Sequence, residues 1–264
     1  DSMEVADILV QAGKLSLRAG DYRLARDLLE RGMKRLKAHM GEDAPTVLSV
    51  GDKLVEAISG MGGFAEAGAV AERVVKKLRK ALGEEHPDTL TSMENLANTL
   101  ISQGELAGAR VHVEKVLEAR RRVLGEEHPD TLTSMSNLAE TLRTQGDLTG
   151  ARALEEKVLA VRRRVLGEEH QDTLTSMSNL ASTLSDQGDL TGARALQERV
   201  LEVRRRVLGE EHPDTLTSMS SLAETLGIQG DLLGAREIDE QVLERSRSVL
   251  GADHPSTRNA LAQL

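Results

Sequence analysis

Residues His128 to Glu169 read HPDTLTSMSNLAETLRTQGDLTGARALEEKVLAVRRRVLGEE, and they decide the fold of this 264-residue chain. The next 42 residues, 170–211, repeat this stretch with seven substitutions. Its first histidine recurs every 42 residues, at His86, His128, His170, His212 and His254. A fixed period of this length is typical of a solenoid, in which a unit that cannot bury its apolar face alone stacks on its neighbours.

The first half of the stretch has the pattern of a helix, which we call helix A. Pro129 suits a first helical position, where its missing N–H would be unpaired in any case. Apolar residues then recur at three- and four-residue steps, at Leu132, Met135, Leu138, Ala139 and Leu142. This spacing forms one face of an α-helix. Gly146 is placed to end the helix, so we predict helix A over about 129–145.

The second half predicts another helix, helix B, over about 148–166. Asp147 is its expected N-cap, and Gly167 ends it. The expected buried stripe consists of Leu148, Ala151, Leu154, Val158, Leu159, Val161, Val165 and Leu166. We expect Ala139 and Ala151 where the two helices come close, and i,i+4 ion pairs in Arg152–Glu156 and Glu202–Arg206.

The repeat divides the chain into six units and the start of a seventh. Their bounds are roughly 2–43, 44–85, 86–127, 128–169, 170–211, 212–253 and, in part, 254–264. The first two units are diverged copies, and we expect the first to cap the array. Leu261 and Leu264 leave an apolar C-terminal edge, which predicts end-to-end self-association.

The motifs of the unit resemble those of the tetratricopeptide repeat. They are Asn137-Leu138-Ala139, Leu142, Gln145-Gly146-Asp147, Ala151 and Val158-Leu159. The 42-residue length and the segments His-Pro-Asp and Arg-Val-Leu-Gly-Glu-Glu are similar to the kinesin-light-chain-like subclass. Aromatic residues common in such repeats are here Leu, Met or Ala, apart from Tyr22 and Phe64. The resemblance implies an all-α, right-handed superhelical solenoid of antiparallel helix pairs, with residues 1–264 in one array.

The resemblance also implies a binding groove lined by helix A. Carried over to this sequence, the groove residues are Thr133, Ser136, Asn137, Glu140, Arg143 and Thr144, with Ser182, Ser185 and Asp186 in the next unit. The peptide-holding asparagine of the family maps to Asn95, Asn137 and Asn179, whereas Ser221 and Lys53 replace it in the sixth and second units. An asparagine offers a donor and an acceptor, so it can pair with an extended backbone.

The seven substitutions between the fourth and fifth units add to this interpretation. They are Pro129/Gln171, Glu140/Ser182, Arg143/Ser185, Thr144/Asp186, Glu155/Gln197, Lys157/Arg199 and Ala160/Glu202. Three of them cluster at the end of helix A, facing the expected groove. A scaffold with adjustable contacts has this pattern, and drift at exposed positions gives a similar one.

Composition argues against several classes of function. The chain has no cysteine, which removes disulfides and favours the cytoplasm. It has no run of 18 apolar residues and no signal-peptide pattern at its start, so we expect no membrane partner. A formal charge of −9 argues against nucleic acid, which needs a basic face. We interpret Arg162, Arg163 and Arg164 as a helix end balanced by the Glu-Glu that follows.

No chemistry is expected of this chain. Histidines one unit apart should be separated by roughly a helix-packing distance, on the order of 10 Å, and cannot share a zinc ion. The hydroxyl-rich run from Thr131 to Ser136 has no base near it in sequence, and no phosphate-binding glycine loop follows a strand. We therefore predict no cofactor, no metal and no enzymatic activity.

The sequence favours a scaffold or adaptor that binds a protein or peptide along helix A. One alternative is the sensor region of a larger signalling nucleotidase of the STAND/NB-ARC type, since such proteins often carry similar repeats. Another is an engineered or recently amplified array, because four of the units are close copies.

Overall fold

The computed structural model describes residues 2–251, 257–258 and 261. Within these residues the regular structure is helical, with no strand. The helices are α1 (Ser2–Arg18), α2 (Tyr22–Met40), α3 (Pro45–Gly60), α4 (Phe64–Leu82), α5 (Pro87–Ser102), α6 (Leu106–Leu124), α7 (Pro129–Thr144), α8 (Leu148–Leu166), α9 (Gln171–Asp186), α10 (Leu190–Leu208), α11 (Pro213–Gln229) and α12 (Leu232–Leu250). Odd-numbered helices are the predicted helix A of each unit, and even-numbered helices are helix B.

The packing divides the chain into two compact units, Asp1–Thr141 and Leu142–Leu264, with the boundary inside α7. We call them unit 1 and unit 2. Within each, a helix packs against the helix before it and the helix after it. Three residues separate α9 from α10, a connection that folds two helices back as an antiparallel hairpin. The fold class is therefore that of an all-α repeat solenoid built from helix pairs, as predicted.

Each helix of the repeat begins and ends at the residues that the sequence indicated. In α8, the side chain of Asp147 caps the helix by accepting a hydrogen bond from the backbone N–H of Gly150, at 3.0 Å. Gly167 ends it with φ +88°, a left-handed conformation that favours glycine. The ring of His170 caps α9, because its Nδ1 accepts from the backbone N–H of Asp172 at 3.1 Å. The histidines thus start helices.

The cores of unit 2 join neighbouring repeats. Leu159 of one repeat packs with Leu174, Met177 and Val200 of the next. Ala181 and Ala193 are fully buried and lack bulk that would separate α9 from α10. Full burial of side chains such as Met177 stabilises the fold by about 1.5–3 kcal/mol each. The apolar stripe of a repeat is therefore covered by its neighbour.

The predicted buried stripe of helix B is wrong at two residues. Val165 is 58% exposed and Leu166 is also exposed, although both were placed in the buried stripe. In the equivalent pair α9 and α10, helix B is 19 residues long and helix A only 16, so the last turn of helix B has less of helix A to pack against.

A further prediction for helix B, the ion pair between Glu202 and Arg206, is also wrong. Arg206 reaches instead to Glu169 in the preceding loop, with Nη2–Oε1 2.5 Å, and Glu202 accepts from Arg199 at 2.8 Å. The loop acid lies close to the end of helix B and competes with the acid one turn earlier. The Arg152–Glu156 pair forms as predicted, with Nε–Oε1 2.8 Å.

The two ends of the described chain differ from a polar cap. Helix α1 exposes Val5, Ile8 and Leu15, with Ile8 61% exposed, whereas a capping helix has a polar outer face. Leu261 is exposed, and Leu264 and His254 lie outside the described residues. Self-association through the C-terminal edge stays a prediction.

None of the described helices is both long and apolar enough to cross a membrane.

Two glycine substitutions should have opposite effects on stability. Gly188→Ala puts a Cβ on a residue with φ +84°, where nothing lies within 4 Å, so backbone strain of about 1–2 kcal/mol should lower the free energy of unfolding. Gly227→Ala lies inside α11, with Ala235 Cβ at 4.0 Å, and should raise it by about 0.5–1 kcal/mol. Urea unfolding of both variants measures the two signs. Equal effects would contradict the assignment of the left-handed turn.

Candidate functional site on the helix A face

In unit 1 the helix A backbones lie close to one another. Cα atoms of α1 and α3, and of α3 and α5, approach within 8 Å, and the helix B backbones make less extensive contacts of this kind. The helix A side is therefore the more tightly curved side of unit 1. We use helix A face for the exposed and half-buried side chains of the odd-numbered helices.

Several hydroxyl groups predicted for the groove bond to their own helix. Thr133 donates to the carbonyl of Pro129 at 3.0 Å, and Ser136 donates to that of Leu132 at 3.1 Å. In unit 2, Ser182 donates to the carbonyl of Ser178 at 3.2 Å. These are i−4 bonds, which leave each hydroxyl oxygen free to accept. Thr133 and Ser182 are exposed, and Ser136 and Ser185 are half-buried.

The asparagines predicted for the groove are partly covered by the fold. Asn95, Asn137 and Asn179 are all half-buried. Asn137 Nδ2 donates to Glu94 Oε1 at 3.2 Å, and Asn95 hydrogen-bonds the carboxyl group of Asp52. Two of the three amides are therefore tied to an acid in the preceding helix A.

The substituted positions at the end of helix A contact one another in unit 2. Arg143 Nη1 pairs with Asp186 Oδ2 at 2.7 Å, and Asp186 lies 43 residues later in the chain. Glu140 and Thr144 are exposed, although each has a polar partner in the fold. The residues at positions 143 and 186 therefore bind each other in addition to facing solvent.

Glu94 is the centre of a polar network in unit 1 that the sequence did not reveal. Arg120 of α6 makes a bidentate pair with Glu94, at 2.7 and 2.8 Å. Arg120 Nη1 also donates to the carbonyl of Asp130 at 3.1 Å and to Ser134 Oγ at 2.7 Å. Ser134 donates to Glu94 Oε1 at 3.1 Å. A signal was present, because glutamate occurs here where the three later repeats have Ser136, Ser178 and Ser220.

The arginine triplets do more than balance a helix end. The first arginine of each triplet is buried: Arg120 is 8%, Arg162 9% and Arg204 7% exposed. In unit 2, Arg162 donates to the carbonyl of Asp172 at 3.3 Å and to Ser176 Oγ at 2.9 Å. Among the described residues, neither Arg162 nor Arg204 forms an ion pair with a carboxylate. Burial lowers the pKa of both guanidinium groups.

The second arginine of the triplet matches the sequence interpretation, whereas the third pairs with an earlier loop instead of the Glu-Glu that follows. In the second position, Arg163 Nε lies 3.3 Å from Glu168 Oε1, just after the helix. In the third position, Arg206 pairs with Glu169, and Arg122 pairs with Glu85 of an earlier loop. Loop acids therefore pair with the more exposed arginines, but the interpretation from the sequence holds only for the second position of the triplet.

No group of three or more potential metal-binding side chains occurs within the described part of the chain. The absence of a metal and of a cofactor therefore stays a sequence-based prediction.

Comparisons with known proteins fit this geometry. Tetratricopeptide repeat models match residues 94–164, 173–214 and 215–256. A crystal structure of nearly identical kinesin-light-chain TPR-like repeats from Podosopora anserina is 30% identical, with a TM-score of 0.67. The match covers 80% of this chain and 99% of that one. This chain is a tetratricopeptide repeat protein. Its repeats are of the kinesin-light-chain-like type, as the sequence indicated.

More distant structures share the fold of this tetratricopeptide repeat protein. BtubC (BKLC) from P. vanneervenii is 18% identical, with a TM-score of 0.66 over 95% of this chain and 94% of that one. A Rap protein complexed with Competence and Sporulation Factor is 14% identical, with a TM-score of 0.62 over 97% and 72%. A search of curated proteins gave no match. Tetratricopeptide repeats generally mediate protein–protein interaction, and the fold is typically a non-catalytic scaffold.

Within the tetratricopeptide frame, Asp52 occupies the position of Glu94 one repeat earlier. Leu78 replaces the buried arginine there, and among the described residues the carboxyl group of Asp52 has no guanidinium partner. Burial raises its pKa to about 6, and hydrogen bonds from Ser92 and Asn95 offset part of that rise. Lys53 lowers this pKa further and Asp88 raises it. Asp52 is therefore the acid of the helix A face whose charge is least well compensated.

Asp52 should make the tetratricopeptide fold less stable as the pH rises. Because its folded pKa is raised from 3.8 to about 6, its contribution is complete below pH 3.8 and is lost as the pH passes about 6. Asp52→Asn should therefore raise the free energy of unfolding at pH 7.5, by at most about 3 kcal/mol, and have little effect near pH 4. Urea unfolding at both pH values measures this. The exposed Asp7→Asn is the control, and an equal gain in both variants would contradict the assignment.

Proposed function

We propose that this tetratricopeptide repeat protein is a non-catalytic scaffold that binds another protein or a peptide along its helix A face. The observation that carries the proposal is the placement of the substitutions between its near-identical repeats. In α9, Ser182 and Asp186 are exposed, whereas the unchanged neighbours Leu180, Ala181 and Leu184 are buried. In this helix the repeats therefore keep the apolar core residues constant and vary exposed residues, as a family of related binding surfaces would.

Groups that bind a polypeptide backbone are present on this face. Asn179 is half-buried on α9, and its amide can donate to a carbonyl and accept from an N–H. The hydroxyl oxygens of Thr175 and Ser178 have donated to their own helix and can still accept. The Rap protein of similar fold holds the Competence and Sporulation Factor, which supports binding of a partner by repeats of this type.

Charge and composition support the class of partner and the location. The formal charge of −9 favours a protein or peptide over nucleic acid, which would require a contiguous basic surface. We place the protein in the cytoplasm, since a chain without cysteine gains nothing from an oxidising compartment. The hydroxyl groups of Thr133, Ser136 and Ser182 donate to carbonyls of their own helices rather than to a base, which supports a role without catalysis.

Loss of the amide at position 179 should weaken binding without unfolding the protein. A partner recovered with the intact chain and identified by mass spectrometry would be titrated by calorimetry. Asn179→Ala removes hydrogen bonds worth about 0.5–1.5 kcal/mol, so its affinity should fall roughly 2- to 13-fold. Asn137→Ala should have a similar effect, although it also breaks the bond to Glu94.

The control for these variants is Lys157→Glu on the exposed surface of α8, which should leave the affinity unchanged. Unchanged affinity in both asparagine variants, together with a loss in Lys157→Glu, would place the binding surface on helix B and reject the proposal.

A charge swap separates the structural role of Arg143 from a role in recognition. Arg143→Glu puts two acids together at the Arg143–Asp186 pair and should reduce stability by up to about 1 kcal/mol, the range of surface ion pairs. Adding Asp186→Arg restores the pair in reverse. We expect the double variant to recover stability but not the original preference among partners, because charges at a surface act mainly on specificity. Recovery of both properties would assign these positions a structural role only.

A further inference from the structure

Repeats five and six enclose a cavity of about 190 Å³ beneath the helix A face. Its exposed lining residues are Thr175 and Ser182 of α9 and Thr217 of α11, which lie on the helix A face. Its wall contains Arg204 and Gln197 of α10, which are 7% exposed each. All of these residues belong to unit 2. The cavity therefore reaches from the helix A face to a buried cation.

At the equivalent repeat positions of unit 1, the carboxylate of Glu94 pairs with the buried arginine. Shifting by two repeats, or 84 residues, relates Glu94, Arg120, Asp130, Ser134 and Asn137 to Ser178, Arg204, Asp214, Ser218 and Ser221. Each of the latter five residues lines the cavity. Arg204 makes the bonds that Arg120 makes, to the carbonyl of Asp214 at 3.2 Å and to Ser218 Oγ at 2.7 Å. Two of the five positions differ, because serine replaces Glu94 at position 178 and Asn137 at position 221. The change at position 178 removes the carboxylate that pairs with the guanidinium group.

The polar atoms around the cavity are incompletely satisfied. Arg204 Nε and Gln197 Oε1 are buried and have no hydrogen-bond partner among the described residues. A buried guanidinium group without a counterion is costly, and a hydrogen-bonded carboxylate compensates it best. The Gln197 amide can also turn its Nε2 donor toward an anion. Asp214 adds an acid to the wall, but its Oδ2 accepts from Gln171 at 2.9 Å, and the equivalent Asp130 coexists with Glu94 in unit 1.

We propose that this cavity is a carboxylate-binding subsite, and that it receives a glutamate side chain of a bound polypeptide in the place that Glu94 fills in unit 1. The carboxylate pairs with Arg204 and lies beside Ser218. Because the exposed lining residues Thr175, Ser182 and Thr217 lie on the helix A face, the side chain enters from that face. The inference rests on the proposed function and adds its chemical preference, which is an acidic residue opposite repeats five and six.

The test uses the intact 264-residue chain and the Nε–Hε nuclear magnetic resonance signals of its arginines. The probes are sodium acetate and the peptides acetyl-Gly-Glu-Gly-amide and acetyl-Gly-Gln-Gly-amide, each titrated at constant ionic strength with sodium chloride as reference. Acetate and the glutamate peptide should both shift the Arg204 signal in a saturable manner, and the glutamine peptide should not. The Arg120 signal should not respond, because Glu94 already occupies its carboxylate position.

Two substitutions exchange the states of the two sites. Ser178→Glu should close the cavity, abolish the response of Arg204 and raise the urea midpoint, since the new carboxylate pairs with Arg204. That gain should disappear in a background of Arg204→Met or, if this variant does not fold, Arg204→Lys. Glu94→Ser should open the corresponding site in unit 1 and make Arg120 responsive to acetate.

Three results would overturn the proposal. They are no shift with either carboxylate, an Arg204 response that persists in Ser178→Glu, and a response to acetate without one to the glutamate peptide, which would assign the cavity to free anions. A partner that binds Ser178→Glu as well as the wild type but loses affinity with Asn179→Ala would leave the scaffold function intact and reject the subsite alone.

Discussion

The constraint on which this protein depends is that one helix pair cannot cover its own apolar stripe. In unit 2, Leu159 of α8 belongs to the core formed by the following repeat, and so does Leu201 of α10. Met177 and Met219 are almost completely removed from solvent at these junctions. Stability therefore comes from the contact between neighbours as much as from any single repeat. This dependence explains why the buried apolar residues are copied so closely from repeat to repeat, whereas exposed residues vary.

The same constraint makes the polar position within each junction informative. Equivalent repeat positions hold a carboxyl group without an arginine partner at Asp52, a complete ion pair at Glu94 and Arg120, and a guanidinium group without a paired carboxylate at Arg204. Buried ion pairs contribute little net stability compared with apolar residues, but removing one partner leaves a costly charge. A junction with one member of the pair is therefore less well compensated than a complete one. At these junctions the buried residues differ from the apolar residues that packing alone would favour.

Most of the fold could be predicted from the sequence, because its determinants are local. Gly167, Asp147 and His170 act within a few residues of their own helix ends, and a 3.6-residue period places Leu138 and Ala139 on one face. Interactions across repeats could not be predicted in the same way. Arg162 has the same local sequence as a solvated helix end, and its burial depends on Ser176 of the next helix.

The candidate site was predicted only in outline. The resemblance placed Asn137 on helix A, but its hydrogen bond to Glu94 joins residues 43 apart, and Arg143 meets Asp186 at the same separation. Partners at such distances follow from how repeats stack. They could be recognised in the sequence only by comparing equivalent positions of successive repeats as pairs.

Near-identical repeats carry a risk during folding, because a helix pair that stacks on the wrong copy would find almost the same apolar surface. The polar contacts that occur once in the described chain distinguish the correct neighbour. Arg143–Asp186 joins only the fourth and fifth repeats, and the bond from Gln171 to Asp214 joins only the fifth and sixth. A chain threaded one repeat out of place would lose both contacts while keeping most of its apolar burial. Such pairs therefore specify which repeats become neighbours in a sequence that otherwise repeats itself.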